Sequence, residues 1–206
     1  MLKKVLFTGF DPFGGETTNP SREAVMALPP EINGIEIITA EIPTVFGKST
    51  ARLYEILDKE RPCAVICVGQ AGGRAGIAIE RVAINCDDAP IADNEGNKPT
   101  DQKIAEDGLA AYFATLPVKA IVQDMKDAGI PAAVSNTAGT FVCNHIMYNA
   151  LHYAATKKVP MLAGFVHIPY LPEQTVDKAA APSMSMELVI KGLVSIVRTL
   201  QRHSKV

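Results

Sequence analysis

The feature that most constrains the fold of this chain is a regular alternation of short apolar runs with segments of helical period. The predicted strands cover residues 4–10, 35–42, 63–69, 77–84, 131–135 and 161–168. The predicted helices cover residues 20–28, 48–59, 118–128, the segment after Cys143, and 186–202. This order predicts an α/β fold, a three-layer α/β/α arrangement around a largely parallel twisted sheet.

Length and charge limit the possible organisation and partners. The chain has 206 residues, 48% of them hydrophobic, which fits one domain spanning 1–206 with a full core. Its formal charge of −2, without long runs of one sign, does not suggest a nucleic-acid partner. The apolar start MLKKVLFTGF is too short for a signal peptide, and no run approaches the eighteen apolar residues of a membrane span. Four cysteines without a CxxC pair predict free thiols in a cytoplasmic protein.

One of these cysteines stands where a small polar loop becomes an apolar helix, in "SNTAGTFVCNHIMYN" at residues 135–149. A lone cysteine is more often a small buried hydrophobe, and we interpret Cys63, Cys67 and Cys86 in that way. Cys143 differs because it lies in the first turn of a predicted helix. Backbone N–H groups and the helix dipole there stabilise a thiolate, and the same groups can hold an oxyanion.

A nucleophilic thiol needs a base, and the chain has four histidines. His145 and His152 follow Cys143 on the same helix, nearly on its opposite side at about 100° per residue. His203 is predicted to lie in a terminal tail. His167 ends a predicted strand, and the carboxyl ends of parallel strands form the ligand crevice of such sheets. By elimination we expect His167 to be the base.

The third residue should be an acceptor that orients the imidazole. If 77–84 is one strand, its two-residue period places Glu80 on one face with apolar neighbours. A buried carboxylate needs a partner, and His167 is one candidate. An ion pair with Arg74 and a surface charge on an edge strand are equally compatible with the spacing.

Residues 85–105 form a polar stretch without a clear period, which is long for a loop inside a compact domain and is typical of a functional loop. We expect it to cover the mouth of the site, since it leaves directly after the strand that carries Glu80.

Six motifs, in order, resemble the pyrrolidone-carboxylate peptidase (pyroglutamyl peptidase I) family of cysteine peptidases. They are GFDPFGG, VGQAGGR, IERVAIN, DNEGNKP, SNTAGTFVCNHIMY and HIPYLPEQ. The resemblance covers nearly the whole chain. The family's catalytic glutamate, cysteine and histidine fall on Glu80, Cys143 and His167.

The resemblance implies removal of N-terminal 5-oxoproline (pyroglutamate) from peptides through a thioester acyl-enzyme. It also implies a cytoplasmic homo-oligomer, usually a tetramer, that needs no metal or organic cofactor. By similarity, the substrate ring is bound by Phe10, Phe13, Gln70, Phe141 and Val142. Core packing is the alternative for the two phenylalanines of GFDPFGG, more so for Phe10 than for Phe13. The chain has Pro90 where family members commonly have arginine, which puts the role of that arginine in doubt.

Two other functions are compatible with parts of the sequence. The glycines of QAGGR could bind an anion, as in nucleoside phosphorylases of similar sheet layout. The domain could also be an inactive module that binds blocked N-termini. GFDPFGG lacks the spacing of a phosphate-binding loop.

Overall fold

The computed structural model describes residues 2–203 and has the alternating order that the sequence predicts. The strands are β1 (Lys4–Phe10), β2 (Glu31–Ile32), β3 (Ile35–Ile42), β4 (Ala64–Gln70), β5 (Ile77–Glu80), β6 (Val82–Ile84), β7 (Ala111–Phe113), β8 (Ala132–Ser135) and β9 (Leu162–Ile168). The helices are α1 (Pro20–Met26), α2 (Lys48–Glu60), α3 (Val118–Asp127), α4 (Val142–Lys157) and α5 (Met186–His203), with a short 3-10 helix at Pro172–Thr175.

Seven strands form one sheet in the order β2-β3-β1-β4-β9-β5-β8. The pairs β3–β1, β1–β4, β4–β9 and β5–β8 are parallel, while β2–β3 and β9–β5 are antiparallel. Buried residues of α1, α3 and α5 pack on one face of this sheet, and those of α2 and α4 pack on the other. The predicted α/β/α arrangement with a largely parallel sheet is therefore confirmed.

The prediction of one strand over 77–84 is wrong. β5 ends at Glu80 in the main sheet, and β6 begins at Val82 and pairs only with β7 in a separate two-stranded sheet. All four residues of β5 are buried, since β5 lies between β9 and β8 and its Ile77 and Ile79 belong to the core on the side of α1, α3 and α5. The sequence does not show this break, because apolar residues continue on both sides of it.

The C-terminal segment around His203 differs from the expected tail. His203 is the last residue of α5, with its ring Nδ1 3.0 Å from the carbonyl oxygen of Thr199, so the predicted terminal tail is helical up to this residue. Within residues 2–203, no helix is long and apolar enough to cross a membrane.

Candidate active site

The sheet brings Glu80 and His167 to the same face. His167 is opposite Ala78 in the antiparallel β9–β5 pair, so Glu80, two residues beyond Ala78, points to the same face as the imidazole. This is the face on which α4 packs, because Phe165, two residues before His167, belongs to the α4 side of the core. Two strands from distant parts of the sequence thus direct an acid and a base towards one helix.

Glu80 and His167 form a buried hydrogen-bonded pair. His167 Nδ1 lies 2.7 Å from Glu80 Oε1, with Glu80 fully buried and His167 only 5% exposed. Since a carboxylate can only accept, Nδ1 carries the proton and Nε2 is left as the basic nitrogen. The structure gives His167 Nε2 no hydrogen-bond partner within residues 2–203.

Arg74 shares the same carboxylate oxygen. Its Nη1 lies 3.1 Å from Glu80 Oε1, so the ion pair with Arg74 and the contact with His167 both occur. The edge-strand alternative is wrong, because β5 lies between β9 and β8. The other oxygen, Oε2, is buried without a hydrogen-bond partner among residues 2–203. An unpaired buried carboxylate oxygen destabilises the fold, and such costs are typical of functional sites.

Cys143 lies in the first turn of α4, as predicted. The N-cap residue is Phe141, which has no side-chain hydrogen bond to the helix start. The first intrahelical bond is from His145 N–H to the Phe141 carbonyl, so the N–H groups of residues 142–144 have no acceptor inside the helix. The helix therefore presents unpaired donors next to the thiol.

The sulfur of Cys143 rests against strand β4 at Gly69. A Cβ atom at Gly69 would lie 3.0 Å from Cys143 Sγ and 2.7 Å from Phe165 Cζ. Gly69 is also the neighbour of His167 in the β4–β9 register. Because Gly69 has no side chain, it leaves room for Cys143 Sγ on β4, the strand next to the one that carries His167.

Burial decides the protonation state of both groups. It raises the pKa of Cys143 to about 12, helped by the negative charge of Glu80 and opposed by Arg74. Burial also lowers the pKa of His167, although the hydrogen bond and charge of Glu80 raise it. Both shifts favour a neutral thiol and a neutral imidazole, because burial disfavours the charged form of each group. A thiolate at the helix start stays a prediction from the sequence.

A small pocket opens beside Cys143. It is lined by Phe10, Phe13, Asn19, Thr44, Gln70, Phe141, Val142 and Cys143. All five residues expected to bind the substrate ring thus lie around one cavity. Phe13 faces Phe141 with ring centroids 6.5 Å apart. Phe10 is almost fully buried against Phe165, so it is a core residue as well as part of the pocket wall.

The sequence interpretation did not include two polar residues of this pocket. Asn19 is the N-cap of α1, because its side chain accepts the Ser21 N–H. It also donates to the carbonyl oxygen of Asp11, and Thr44 donates its hydroxyl to the same oxygen. No local motif marks these two residues as pocket residues, since their places depend on how distant loops meet.

The 85–105 loop contacts segments that carry the pocket wall. Asn94 donates its N–H to the Thr44 carbonyl and its side-chain amide to the Pro12 carbonyl, 2.8 Å away. Asp93 accepts the backbone N–H of Phe46. These contacts support a loop that fixes one side of the pocket. Pro90 is exposed and does not line the cavity.

The other histidines on α4 have structural partners. His145 Nδ1 lies 2.7 Å from Asp87 Oδ2, and its Nε2 lies 2.8 Å from the hydroxyl of Thr50. His152 contacts the hydroxyl of Tyr112. Both rings are directed to the protein framework, in agreement with the expectation that neither serves Cys143.

Cys67 and Cys86 are compatible with the packing interpretation. Cys67 is fully buried in the α4 side of the core, and burial raises its pKa to about 12. Burial and the nearby Asp101 also raise the pKa of Cys86. Within residues 2–203, no cluster of His, Cys, Asp or Glu is arranged to hold a metal ion.

Comparison with known proteins identifies the family of this chain. The pyroglutamyl peptidase family profile matches residues 3–203. The pyrrolidone-carboxylate peptidase of Alkaliphilus oremlandii is 60% identical over 190 residues, covering 92% of this chain and 89% of the relative. That of Treponema denticola is 52% identical and covers 98% and 96%.

Solved structures show the same fold. The crystal structure of Bacillus amyloliquefaciens pyroglutamyl peptidase I has a TM-score of 0.92 at 52% identity and covers 96% of each chain. A mutant pyrrolidone carboxyl peptidase from Pyrococcus furiosus has a TM-score of 0.94 at 42% identity and covers 97% and 99%. The resemblance of the six motifs is confirmed over the length of the fold: the chain belongs to the pyroglutamyl peptidase family of cysteine-type hydrolases.

Proposed function

We propose that this enzyme removes N-terminal pyroglutamate from peptides with Cys143 as nucleophile, His167 as acid–base and Glu80 as the residue that orients His167. The observation that carries the proposal is the buried 2.7 Å hydrogen bond between Glu80 and His167, on the sheet face where Cys143 Sγ packs against Gly69. The nucleoside phosphorylase alternative loses its support, because the family comparison covers the whole sheet and not only the QAGGR segment.

The resting protonation states define the first step. Because thiol and imidazole are both neutral, the Cys143 proton moves to His167 Nε2 as the sulfur attacks the pyroglutamyl carbonyl carbon. The tetrahedral oxyanion accepts hydrogen bonds from the free N–H groups at the start of α4. The buried charge of Glu80 stabilises the imidazolium that forms.

Collapse of this intermediate completes the cycle. The imidazolium gives its proton to the leaving amine, the C–N bond breaks, and a thioester links Cys143 to the pyroglutamyl group. Neutral His167 then takes a proton from water, and the resulting attack releases pyroglutamate and regenerates the thiol. No step needs an electron donor or acceptor.

The pocket suits the proposed substrate. Pyroglutamate is a small, neutral, flat lactam, and the cavity is walled mainly by Phe10, Phe13, Phe141 and Val142. N-terminal glutamate or proline would bring a charged amine into this apolar space, where desolvation is costly. The wall therefore favours the cyclised, uncharged terminus.

The experiment that tests the activity compares a pyroglutamyl fluorogenic amide with its glutamyl and prolyl counterparts. We expect hydrolysis of the first only. Binding of pyroglutamyl peptides without turnover, unaffected by thiol alkylation, would instead identify an inactive binding module. Size-exclusion chromatography with light scattering tests the homotetramer implied by the resemblance, and cell fractionation tests the cytoplasmic location.

The nucleophile has its own test. Iodoacetamide should abolish activity with labelling at Cys143, and Cys143→Ser should be nearly inactive, while Cys86→Ser serves as the matched control and retains activity. Activity should persist in a chelator, since the proposed chemistry uses no metal. Full activity in Cys143→Ala would refute the mechanism.

A further inference from the structure

A chain of three hydrogen-bonding groups leads from the backbone after β9 into the pocket. The backbone N–H of Leu171 donates to Gln174 Oε1 over 3.0 Å, and Gln174 Nε2 donates to Gln70 Oε1 over 2.9 Å. Gln70 lines the pocket beside Cys143, whereas Gln174 lies on the short 3-10 helix Pro172–Thr175 and does not line it. The chain thus connects a residue outside the cavity to one inside it.

The Leu171 N–H, outside the pocket, sets the order of donors and acceptors along this row of hydrogen bonds. A backbone N–H is only a donor, so the Leu171 N–H requires the oxygen of Gln174 to face it. The NH₂ group of Gln174 must then face Gln70, and Gln70 must present its oxygen in return. Neither amide can turn around without placing two donors or two acceptors against each other.

The remaining group of Gln70 is therefore its NH₂. The structure gives this nitrogen no acceptor within residues 2–203. Asn19 and Thr44, the other polar side chains on the pocket wall, each commit a donor to the carbonyl oxygen of Asp11. Gln70 thus offers the cavity an NH₂ group with neither hydrogen used.

We propose that Gln174 is a positioning residue that orients the Gln70 amide, so that its NH₂ group donates to the ring carbonyl of the bound lactam. The inference rests on the proposed function and specifies how its site recognises the ring. A ring without the carbonyl leaves this donor unpaired in a desolvated pocket, and sites built to hydrogen-bond a substrate group discriminate strongly against analogues that lack it.

The decisive variant is Gln174→Glu, which reverses the chain while nearly preserving shape. One carboxylate oxygen still accepts the Leu171 N–H, but the other is also an acceptor, so Gln70 must rotate and present its oxygen to the pocket. Gln174→Met removes the partner without imposing the reversal. Val176→Glu is the matched control, since it adds the same charge two residues away on a side chain that is 80% exposed.

The probes are the pyroglutamyl fluorogenic amide and the cyclopentanecarbonyl amide, which has the same ring size and no ring carbonyl. We expect Gln174→Glu to lower kcat/KM for the pyroglutamyl amide at least about tenfold and Gln174→Met to lower it less. Val176→Glu should match the parent. For the cyclopentanecarbonyl amide, used as a substrate or as a competitive inhibitor if turnover is too slow, kcat/KM or Ki should be unchanged in every variant.

The outcomes separate this inference from the proposed function. If the parent cleaves the pyroglutamyl amide and Gln174→Glu matches Val176→Glu, the positioning role is refuted and the activity stands. Equal losses towards both probes, or a lowered Tm that accounts for the loss, would make Gln174 a structural residue only. A parent that cleaves no pyroglutamyl amide refutes the proposed function itself.

Discussion

Residues 2–203 contain two buried histidine–carboxylate pairs that differ at the second nitrogen of the imidazole. His167–Glu80 and His145–Asp87 both have an Nδ1–oxygen distance of 2.7 Å, and all four residues are less than 10% exposed. The second nitrogen of His145 accepts hydrogen bonds from the Thr50 hydroxyl and the Gly47 N–H. The second nitrogen of His167 has no such partner within residues 2–203.

In the proposed mechanism, this difference separates a pair that holds the protein framework from a pair that takes part in the reaction. The ring of His145 is held at both nitrogens, and it joins the base of the 85–105 loop to the start of α2. The ring of His167 is held at one nitrogen only, which leaves the other to exchange a proton. A hydrogen-bonded acid–histidine pair is therefore insufficient to identify a base, and the unoccupied nitrogen is the informative feature.

The strongest test of the comparison replaces each histidine by glutamine. His167→Gln should lower kcat/KM by about 10²–10⁴-fold, because it removes the acid–base group. His145→Gln should keep kcat within about threefold and lose about 1–3 kcal/mol of unfolding free energy, since buried partners become unsatisfied. Steady-state kinetics and urea unfolding measure the two effects. Comparable kinetic losses in both variants would abolish the distinction.

Substitution of the two carboxylates should likewise reduce activity at Glu80 and stability at Asp87, with smaller effects than substitution of the histidines. Glu80→Gln should lower kcat more than about tenfold, over about 1.4 kcal/mol in activation free energy, with the fold intact. Asp87→Asn should leave kcat nearly unchanged and reduce stability by about 1 kcal/mol. A Glu80→Gln enzyme with the parental kcat would remove Glu80 from the site and leave it as the ion-pair partner of Arg74.

The pH profile sharpens the assignment of the base. Burial lowers the pKa of His167, so the acid limb of kcat/KM should have its midpoint below the ordinary value of 6.5. Activity needs the neutral ring, so it is present above that midpoint and falls as pH decreases through it. Glu80→Gln should move the limb to lower pH, because the hydrogen bond and charge of Glu80 raise the pKa of His167. Asp87→Asn should not move it, and a parental midpoint above 6.5 would contradict the assignment.

The smallest effect is expected from Pro90→Arg. Pro90 is exposed and absent from the pocket wall, and exposed charges are screened by salt, so kcat/KM should change less than about threefold. A clearly higher kcat would show that a cation at this position assists the reaction. A higher KM alone would show that the shape of the loop matters more.

The sequence predicted those parts of the site that depend on local pattern. Apolar runs identified the strands that end in Gln70 and Ile168, and the loop-to-helix transition identified Cys143. The Asp87–His145 pair was not predicted, because its members are 58 positions apart and Asp87 belongs to none of the six motifs. The burial that raises the pKa of Cys143 was not predicted either, since the helix N-terminus is visible in a sequence and the depth of burial is not.

Gly69 shows how a site can depend on atoms that a residue lacks. Alanine scanning reads function by removing side chains, and at this position it would add one, 2.7 Å from Phe165 Cζ and 3.0 Å from Cys143 Sγ. The sulfur of Cys143, the proposed nucleophile, packs against the backbone of a central strand, so a shift of β4 relative to α4 changes the surroundings of the sulfur. Substitutions that move this strand by a few tenths of an ångström can therefore alter the reaction while every catalytic side chain stays in place.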